Sequence, residues 1–377
     1  MNFKKKIFLP NYLNFSNKKL FSTIRKARKD FNLSDPKKLS YTFMTSLSLI
    51  LIFFMLPLAV KFKKDINLNK VEITNKSKTK FEKVLDGEVL DKSAKLDQGL
   101  DLKNLYEDVF KTDELPTDTV RLNASTIEEL FKETDYNLED VRETKLVKPI
   151  RLSLLPEEMR KIENTKKRKT LFIQIVLPLI IEENTKVKLD RIRLFNILNK
   201  SNNTQSEKNW INAKFKQYGV VNKDLSTLKI RMDIVPTSIA IAQAAKETGW
   251  GTSRFALEGN ALFGQWTWSG EGIKPSGAKS DTTHKVMRFK ILKSSVKAYI
   301  RNLNTHSSYR SFRKARAELR DKKKGLDSLI LANYLDKYAE TGIEYVKILK
   351  QIIKQNRLTD FDDAKLLPSS LQLKSLI

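Results

Sequence analysis

Apolar residues fall along this chain in three different rhythms. The first is unbroken: Phe43 to Val60, "FMTSLSLILIFFMLPLAV", has no charge in eighteen residues. As a helix rising about 1.5 Å per residue it would span roughly 27 Å, close to the hydrocarbon layer of a bilayer. Nothing in it is amphipathic, so a membrane span is expected rather than a core helix. The stretch 1–42 is too long for an ordinary signal-peptide n-region, and no small-x-small site follows, which favours a retained anchor over a cleaved signal.

The second rhythm is helical. Residues 61–115 are rich in Lys, Asp, Asn, Thr and Ser with scattered apolar positions, and read as a linker with at most a transient helix near "LKNLYEDVFK". From about Val120 the pattern tightens. "STIEELFKETDY" carries a Ser-x-x-Glu capping box that predicts a helix start at Ser125. "RKTLFIQIVLPLIIEENTKVKLDRIRLFNIL" predicts a long helix from about Lys169 to Leu198, bent at Pro178. "EKNWINAKFKQYGV" and "LSTLKIRMDI" predict shorter helices. These make a helical support region over 116–232.

The third rhythm begins after "DIVPTSIAIAQAAKETG". Seven of the twelve glycines (249, 251, 259, 264, 270, 272, 277) and three of the four tryptophans (250, 266, 268) crowd into thirty residues. "HKVMRFKIL" alternates with period two, placing Met287, Phe289 and Ile291 on one strand face, and "LFGQWTW" is its expected hairpin partner. Helical spacing returns from "SSVKAYIRNLN" to about Asn356. The expected fold is therefore mainly α (α+β): a domain over 233–360 with a small β-hairpin lobe, followed by a tail over 361–377.

Charge narrows the partners. Lys and Arg number 71 against 44 Asp and Glu, a net charge of +27, which suits polyanions such as nucleic acid, acidic lipid or an anionic wall polymer. Residues 1–42 hold eleven Lys and Arg against Asp30 and Asp35, so that arm is expected in the cytoplasm and the C-terminal part outside it. There is no cysteine, and the histidines are His284 and His306 alone. Zinc spacings, thiol nucleophiles and disulfides are thus excluded or nearly so, and no metal or organic cofactor is implied. Chemistry has to come from carboxylates, tyrosines, lysines or hydroxyls.

One carboxylate is out of place. Pro236 suits a first helical turn and Gly249 a left-handed cap, so Glu247 falls at the C-terminal end of a helix, where the dipole disfavours negative charge. Ala240, Gln243, Ala244 and Glu247 share one face of it, and small residues at 240, 242, 244 and 245 let other elements approach. Desolvation and the dipole would both raise the pKa of Glu247, as a glycosidase acid requires. The bland reading is a surface glutamate paired with Lys246 or Arg254. Both stand at this point.

The stretch "VPTSIAIAQAAKETGWGTSRFALEGNALFGQW" resembles the signature of the bacterial Bax-type proteins, in the glucosaminidase branch called glycoside hydrolase family 73. The pattern is carried by Glu247-Thr-Gly-Trp-Gly251, Ser253–Ala256 and Gly259–Gly264, with further similarity in "THKVMRF", "NLNTHSSYRSFRKARAEL" and "YLDKYAETGIEYVKILKQII". It covers roughly residues 120–360. The resemblance implies a lysozyme-like fold acting on the glycan strands of peptidoglycan, with Glu247 as general acid and no nucleic-acid partner. Taken with the apolar run and the basic arm, this gives the expectation of a bacterial inner-membrane protein, single-pass through 43–60, with its C-terminal domain in the periplasm. Tyr338, in "YAETG", matches a tyrosine that relatives place in the groove. Gln243, Asn260 and Phe263 belong to the matched stretch and are expected to line the groove. Trp250, Trp266 and Trp268 would offer flat faces to sugar rings. His306 is expected to pack between helices, and "RKARAELRDKKK" to form a solvated basic face.

A second carboxylate sets the stereochemistry of most glycosidases. Between Trp268 and Phe289 the acids are Glu271 and Asp281, and neither is singled out by the motif. The substrate's own 2-acetamido group is the alternative nucleophile. A lytic transglycosylase on the same fold and a non-catalytic wall-binding scaffold are the rival readings.

Overall fold

Short polar side chains decide where most helices of this protein begin. The computed structural model describes residues 106, 108–109, 120–267, 272–274 and 285–368. The expected basic arm, the span at 43–60 and nearly all of the expected linker lie outside the described residues. Among the described residues no helix is long and apolar enough to cross a membrane.

Helix α1 (Ala124–Glu133) starts on Asn123, whose side-chain oxygen accepts from the Thr126 backbone N–H at 2.8 Å. The capping box expected at Ser125 does not form. Ser125 donates its hydroxyl to Asn123 Oδ1 at 2.8 Å, and Glu128, the box's acid, pairs with Lys167 at 2.9 Å. Helix α2 (Leu138–Thr144) is capped by Asn137 and runs into the two-residue strand β1 (Leu146–Val147). A 3-10 turn at Glu157–Arg160 leads to helix α3 (Thr165–Leu198), capped by Asn164. Pro178 sits inside α3 without ending it. A proline lacks the N–H that would bond the carbonyl four residues back. That carbonyl, of Gln174, accepts the buried Tyr136 hydroxyl at 3.1 Å instead.

Helices α4 (Gln205–Gln217) and α5 (Leu225–Arg231) follow, α4 with a complete capping box between Thr204 and Glu207. Helix α6 (Thr237–Thr248) comes next, with Pro236 one place earlier than expected, at the N-cap rather than in the first turn. Helix α7 (Arg254–Gly259) precedes a three-stranded antiparallel sheet: β2 (Trp266–Thr267), β3 (Gly272–Ile273) and β4 (Lys285–Met287). Strand order is β2-β4-β3, with Trp266 opposite Val286 and Ile273 also opposite Val286. The expected hairpin partner is present as β2, but β4 is central and takes a second strand on its other edge. The remaining elements are helices α8 (Leu292–Thr305), α9 (Arg310–Asp321), α10 (Ser328–Leu331) and α11 (Ile343–Gln355), and strand β5 (Lys365–Leu366). Mainly α with a small sheet, the fold class is as expected.

Ten of the twelve residues of α6 are buried, so it runs through the middle of the body and not across its surface. Its alanines let α3, α11 and the 3-10 turn Leu358–Phe361 close in on it. One continuous apolar core runs from Ala124 to Ala364, so the support region and the helices that follow it share their interior. Smaller clusters lie beside it. One joins Leu194 of α3 to Phe215, Leu228 and Met232. Another packs Tyr106 and Val109, two residues within the expected linker, against Met287, Phe289 and Ala298.

The boundary expected at 232/233 falls inside a buried charge knot. Asp233 is 2% exposed and takes two hydrogen bonds from Arg320, at 3.0 and 3.1 Å. Arg316, fully buried, donates to the carbonyls of Ile230 and Ile234 and to Asn304 Oδ1 at 2.7 Å. Burial alone would raise the Asp233 pKa, but Arg191, Arg316 and Arg320 outweigh it and hold the carboxyl down at about 2.

Candidate active site

Three successive left-handed residues end the central helix: Gly249 at φ +57, Trp250 at φ +62 and Gly251 at φ +82. Gly251 has no alternative, because a Cβ there would lie 3.0 Å from Phe172 and 3.2 Å from Met159. The Thr248 hydroxyl locks the turn, accepting from the Gly251 N–H at 2.9 Å and donating to the Ala244 carbonyl at 2.6 Å. The turn fixes the last residues of α6, and with them Glu247.

Glu247 is half-buried, and neither Lys246 nor Arg254 claims it. Arg254 reaches Glu258, and the principal partner of Glu247 is Tyr345 of α11, whose hydroxyl donates to Oε1 at 2.9 Å. The other carboxyl oxygen, Oε2, faces Gly264, lying 3.3 Å from where a Cβ on that residue would be. Tyr345 in turn accepts from Gln243 Nε2 at 3.0 Å, and Gln243 Oε1 accepts from the Tyr299 hydroxyl at 2.7 Å. Burial raises the Glu247 pKa above the usual carboxylate range, against weaker lowering by the Tyr345 hydrogen bond and by Lys246. Burial likewise pushes the Tyr309 phenol up to about 12 and those of Tyr299, Tyr338 and Tyr345 further, so all four stay neutral.

Stacked rings hold these hydroxyls in place. Tyr338 lies parallel to Tyr345 at 5.6 Å and donates its hydroxyl to the Phe263 carbonyl at 2.8 Å. Phe263 stacks on Tyr299 at 3.8 Å. Tyr309 tilts against Tyr338 at 5.8 Å. Apolar spacing alone reads Tyr299, Tyr309 and Tyr345 as core, and none was singled out from the sequence.

Gly264→Ala tests how closely this wall approaches the carboxyl. At φ +60 an alanine should lower the unfolding free energy by about 1–2 kcal/mol. Gly325→Ala, where nothing lies within 4 Å, should be close to neutral in the same urea titration.

A family model described as mannosyl-glycoprotein endo-beta-N-acetylglucosaminidase matches residues 222–358, which hold Glu247, Gln243 and the four tyrosines. Protein bax of Escherichia coli (strain K12) is 32% identical over 211 residues, covering 54% of this chain and 75% of that protein. The chain belongs to the Bax-type glucosaminidase family. The catalytic domain of the autolysin Auto from Listeria monocytogenes covers 46% of this chain, and the chain covers 97% of it, at 20% identity. With a TM-score of 0.25 that superposition carries no residue roles across.

Within this glucosaminidase-family domain, the residues expected to line a groove separate. Glu247 and Tyr338 come together, both partly exposed. Gln243 is fully buried with both ends of its amide engaged, so it acts on Glu247 through Tyr345 and cannot touch a substrate here. The Phe263 side chain is core, 1% exposed, and only its carbonyl serves the site. Asn260, left-handed at φ +50, ties α7 to the strand end by donating to the Phe289 and Lys290 carbonyls at 2.9 and 3.0 Å. Trp250 is half-buried, with the Lys169 ammonium 4.8 Å over its ring and Phe172 at its edge, so part of its surface is already taken. Trp266 lies in β2, its backbone paired opposite Val286 of β4. Trp268, Glu271 and Asp281 lie outside the described residues. His306 is exposed and does not pack between helices; its Nδ1 accepts from the Ser308 N–H at 3.2 Å, starting a 3-10 turn.

Proposed function

We propose that this glucosaminidase-family chain is a peptidoglycan hydrolase that cleaves the glycan strand after N-acetylglucosamine, with Glu247 as general acid. The observation that carries the reading is the half-buried Glu247 carboxyl, held by Tyr345 on one oxygen and facing Gly264 with the other. Burial keeps it protonated at a higher pH than a solvated glutamate, which is what protonating a leaving sugar oxygen near neutral pH requires.

In the reaction, the Glu247 O–H bond breaks as the proton passes to the glycosidic oxygen, and the carbon–oxygen bond breaks with its electron pair going to the departing sugar. The anomeric carbon is then met by water, directly or after a covalent intermediate. Glu271 and Asp281 are the candidates for the second carboxylate, and the substrate's 2-acetamido group is the other nucleophile. The phenols around Glu247 stay neutral: Tyr345 holds the carboxyl, and the partly exposed Tyr338 offers an apolar face to a sugar ring. With the chain anchored through residues 43–60, the same reading places residues 116–360 in the periplasm, where the substrate is.

Product analysis tests the bond. Sacculi digested by the full-length chain in detergent should yield N-acetylglucosamine at new reducing ends, which borohydride converts to the alcohol before mass spectrometry. Reducible muramic ends would overturn the bond assignment alone. Anhydromuramic ends, which resist reduction, would replace the hydrolase with a transglycosylase, and uncut strands would leave a binding protein.

A further inference from the structure

We propose that Tyr345, oriented by Gln243 and Tyr299, is a positioning residue that confines the transferable proton of Glu247 to Oε2, the oxygen facing Gly264. The inference rests on Glu247 being the general acid.

The argument is a count of hydrogens along one buried line. Tyr299 is fully buried, and among the described residues its hydroxyl has one acceptor, Gln243 Oε1 at 2.7 Å. With its oxygen so engaged, the amide turns its nitrogen toward Tyr345, at 3.0 Å. An amide nitrogen donates and does not accept, so the Tyr345 oxygen receives that bond. The single hydrogen of Tyr345 is then left for Glu247 Oε1, at 2.9 Å. In a protonated carboxyl the carbonyl oxygen is the stronger acceptor, so the oxygen that takes that hydrogen is the one without the acid's own proton. The proton therefore sits on Oε2, beside the glycine wall rather than against the tyrosines.

The line can be written in reverse, with Glu247 Oε1–H donating to Tyr345, Tyr345 to Gln243 and Gln243 to Tyr299. In that direction the Tyr299 hydrogen has no acceptor, and a buried orphan of this kind costs about 1–3 kcal/mol. The forward direction is thus favoured by the dead end at Tyr299. It also serves the chemistry. As Glu247 gives up its proton the carboxylate gains charge, and the hydrogen bond from Tyr345 strengthens as that charge develops. Gln243 lies one turn before Glu247 on the same helix, so acid and amide move as one piece.

The direction of the line has a sign that can be measured. The titratable or charged groups acting on Glu247 among the described residues are Lys246 on its own helix, Tyr345 on α11, Tyr299 on α8, and Tyr309 and Tyr338 on the 3-10 turns. Neither Tyr345→Phe nor Tyr299→Phe alters Lys246. A donor to the carboxylate, once removed, raises the pH at which the acid deprotonates; an acceptor from the protonated acid, once removed, lowers it.

The experiment is the pH profile of sacculus digestion by the full-length enzyme and its Tyr345→Phe, Tyr299→Phe and Glu247→Gln variants, with thermal unfolding of each. Tyr345→Phe should lower the plateau rate about tenfold to a hundredfold, the worth of a hydrogen bond to a charged group. Its alkaline limb should move to higher pH. Tyr299→Phe should move the limb the same way by less, although Tyr299 is out of reach of any substrate. A limb that stays in place or moves down in either folded variant overturns the relay. If Tyr345→Phe does not fold, the sign read from Tyr299→Phe decides. An active Glu247→Gln would instead remove the acid assignment on which the relay rests, so the two failures are separable.

Discussion

Glu247→Gln is expected to lower the wall-digesting rate a hundredfold or more near neutral pH while leaving the fold intact, the loss typical of a missing general acid. Glutamine keeps the shape of the side chain, and its amide oxygen can still accept the Tyr345 hydroxyl where Oε1 now does, at 2.9 Å. Only the transferable proton is gone. Loss of turbidity of sacculi treated with purified full-length protein reads the rate, and a variant that clears them at the wild-type rate would sink the assignment. The pH dependence has a definite direction. Burial raises the pKa of Glu247, so the protonated, active form persists from the acid side and is lost as the pH climbs through that raised value.

The second large effect is on stability. Asp233→Asn should lower the unfolding free energy by about 3–5 kcal/mol, because it leaves buried cationic Arg316 without its counter-charge. Glu344→Gln, which breaks an exposed pair with Lys347, should change it by less than about 0.5 kcal/mol. Urea titration measures both, and equal effects would mean that the knot contributes no more than a surface pair. The Asp233 pKa is held at about 2 in the folded chain, against about 3.9 unfolded. A depressed carboxyl contributes stability that is complete above the unfolded value and lost as pH falls through the folded one. Acid should therefore erode the wild type between about pH 4 and 2, and the Asp233→Asn variant correspondingly less in that window.

Much of the framework was legible in the sequence, and the exceptions are instructive. The glycine after Thr248 announced a left-handed turn, and the helix end that puts Glu247 beside it followed from local rules. The same rules place Gln243 on the face of Glu247. They cannot tell that this face is closed over by α11 and α8, so a groove residue was expected where a buried one stands. Tyr345 and Tyr299 escaped notice because a tyrosine packed for its ring and one placed for its hydroxyl have the same spacing. Their bonds reach across 98 and 56 positions, beyond any local pattern. Strand β3 is two residues long, too short to show alternation, and the capping choice between Asn123 and Ser125 was settled by geometry three residues apart. The domain boundary drawn at 232/233 rests on a change of composition, which carries no sign of the buried ion pairs made there. Asp233 pairs with Arg316 and Arg320, partners more than eighty positions away that no local pattern announces.

The last turn of the body bears on how the chain is made. Asp362 bonds the backbone N–H and the hydroxyl of Ser238, both at 2.8 Å and 124 positions earlier, at the start of the helix that carries Glu247. Strand β5 pairs in parallel with β1 at the opposite end of the described body. A ribosome delivers Asp362 and β5 only after every residue of the relay has emerged. The helix that carries Glu247 waits for Asp362, and its core stays open along one side, until residues 358–366 have been made. A chain cut before these residues would carry the whole Glu-x-Gly-Trp-Gly signature and still lack the contacts that Asp362 and β5 supply.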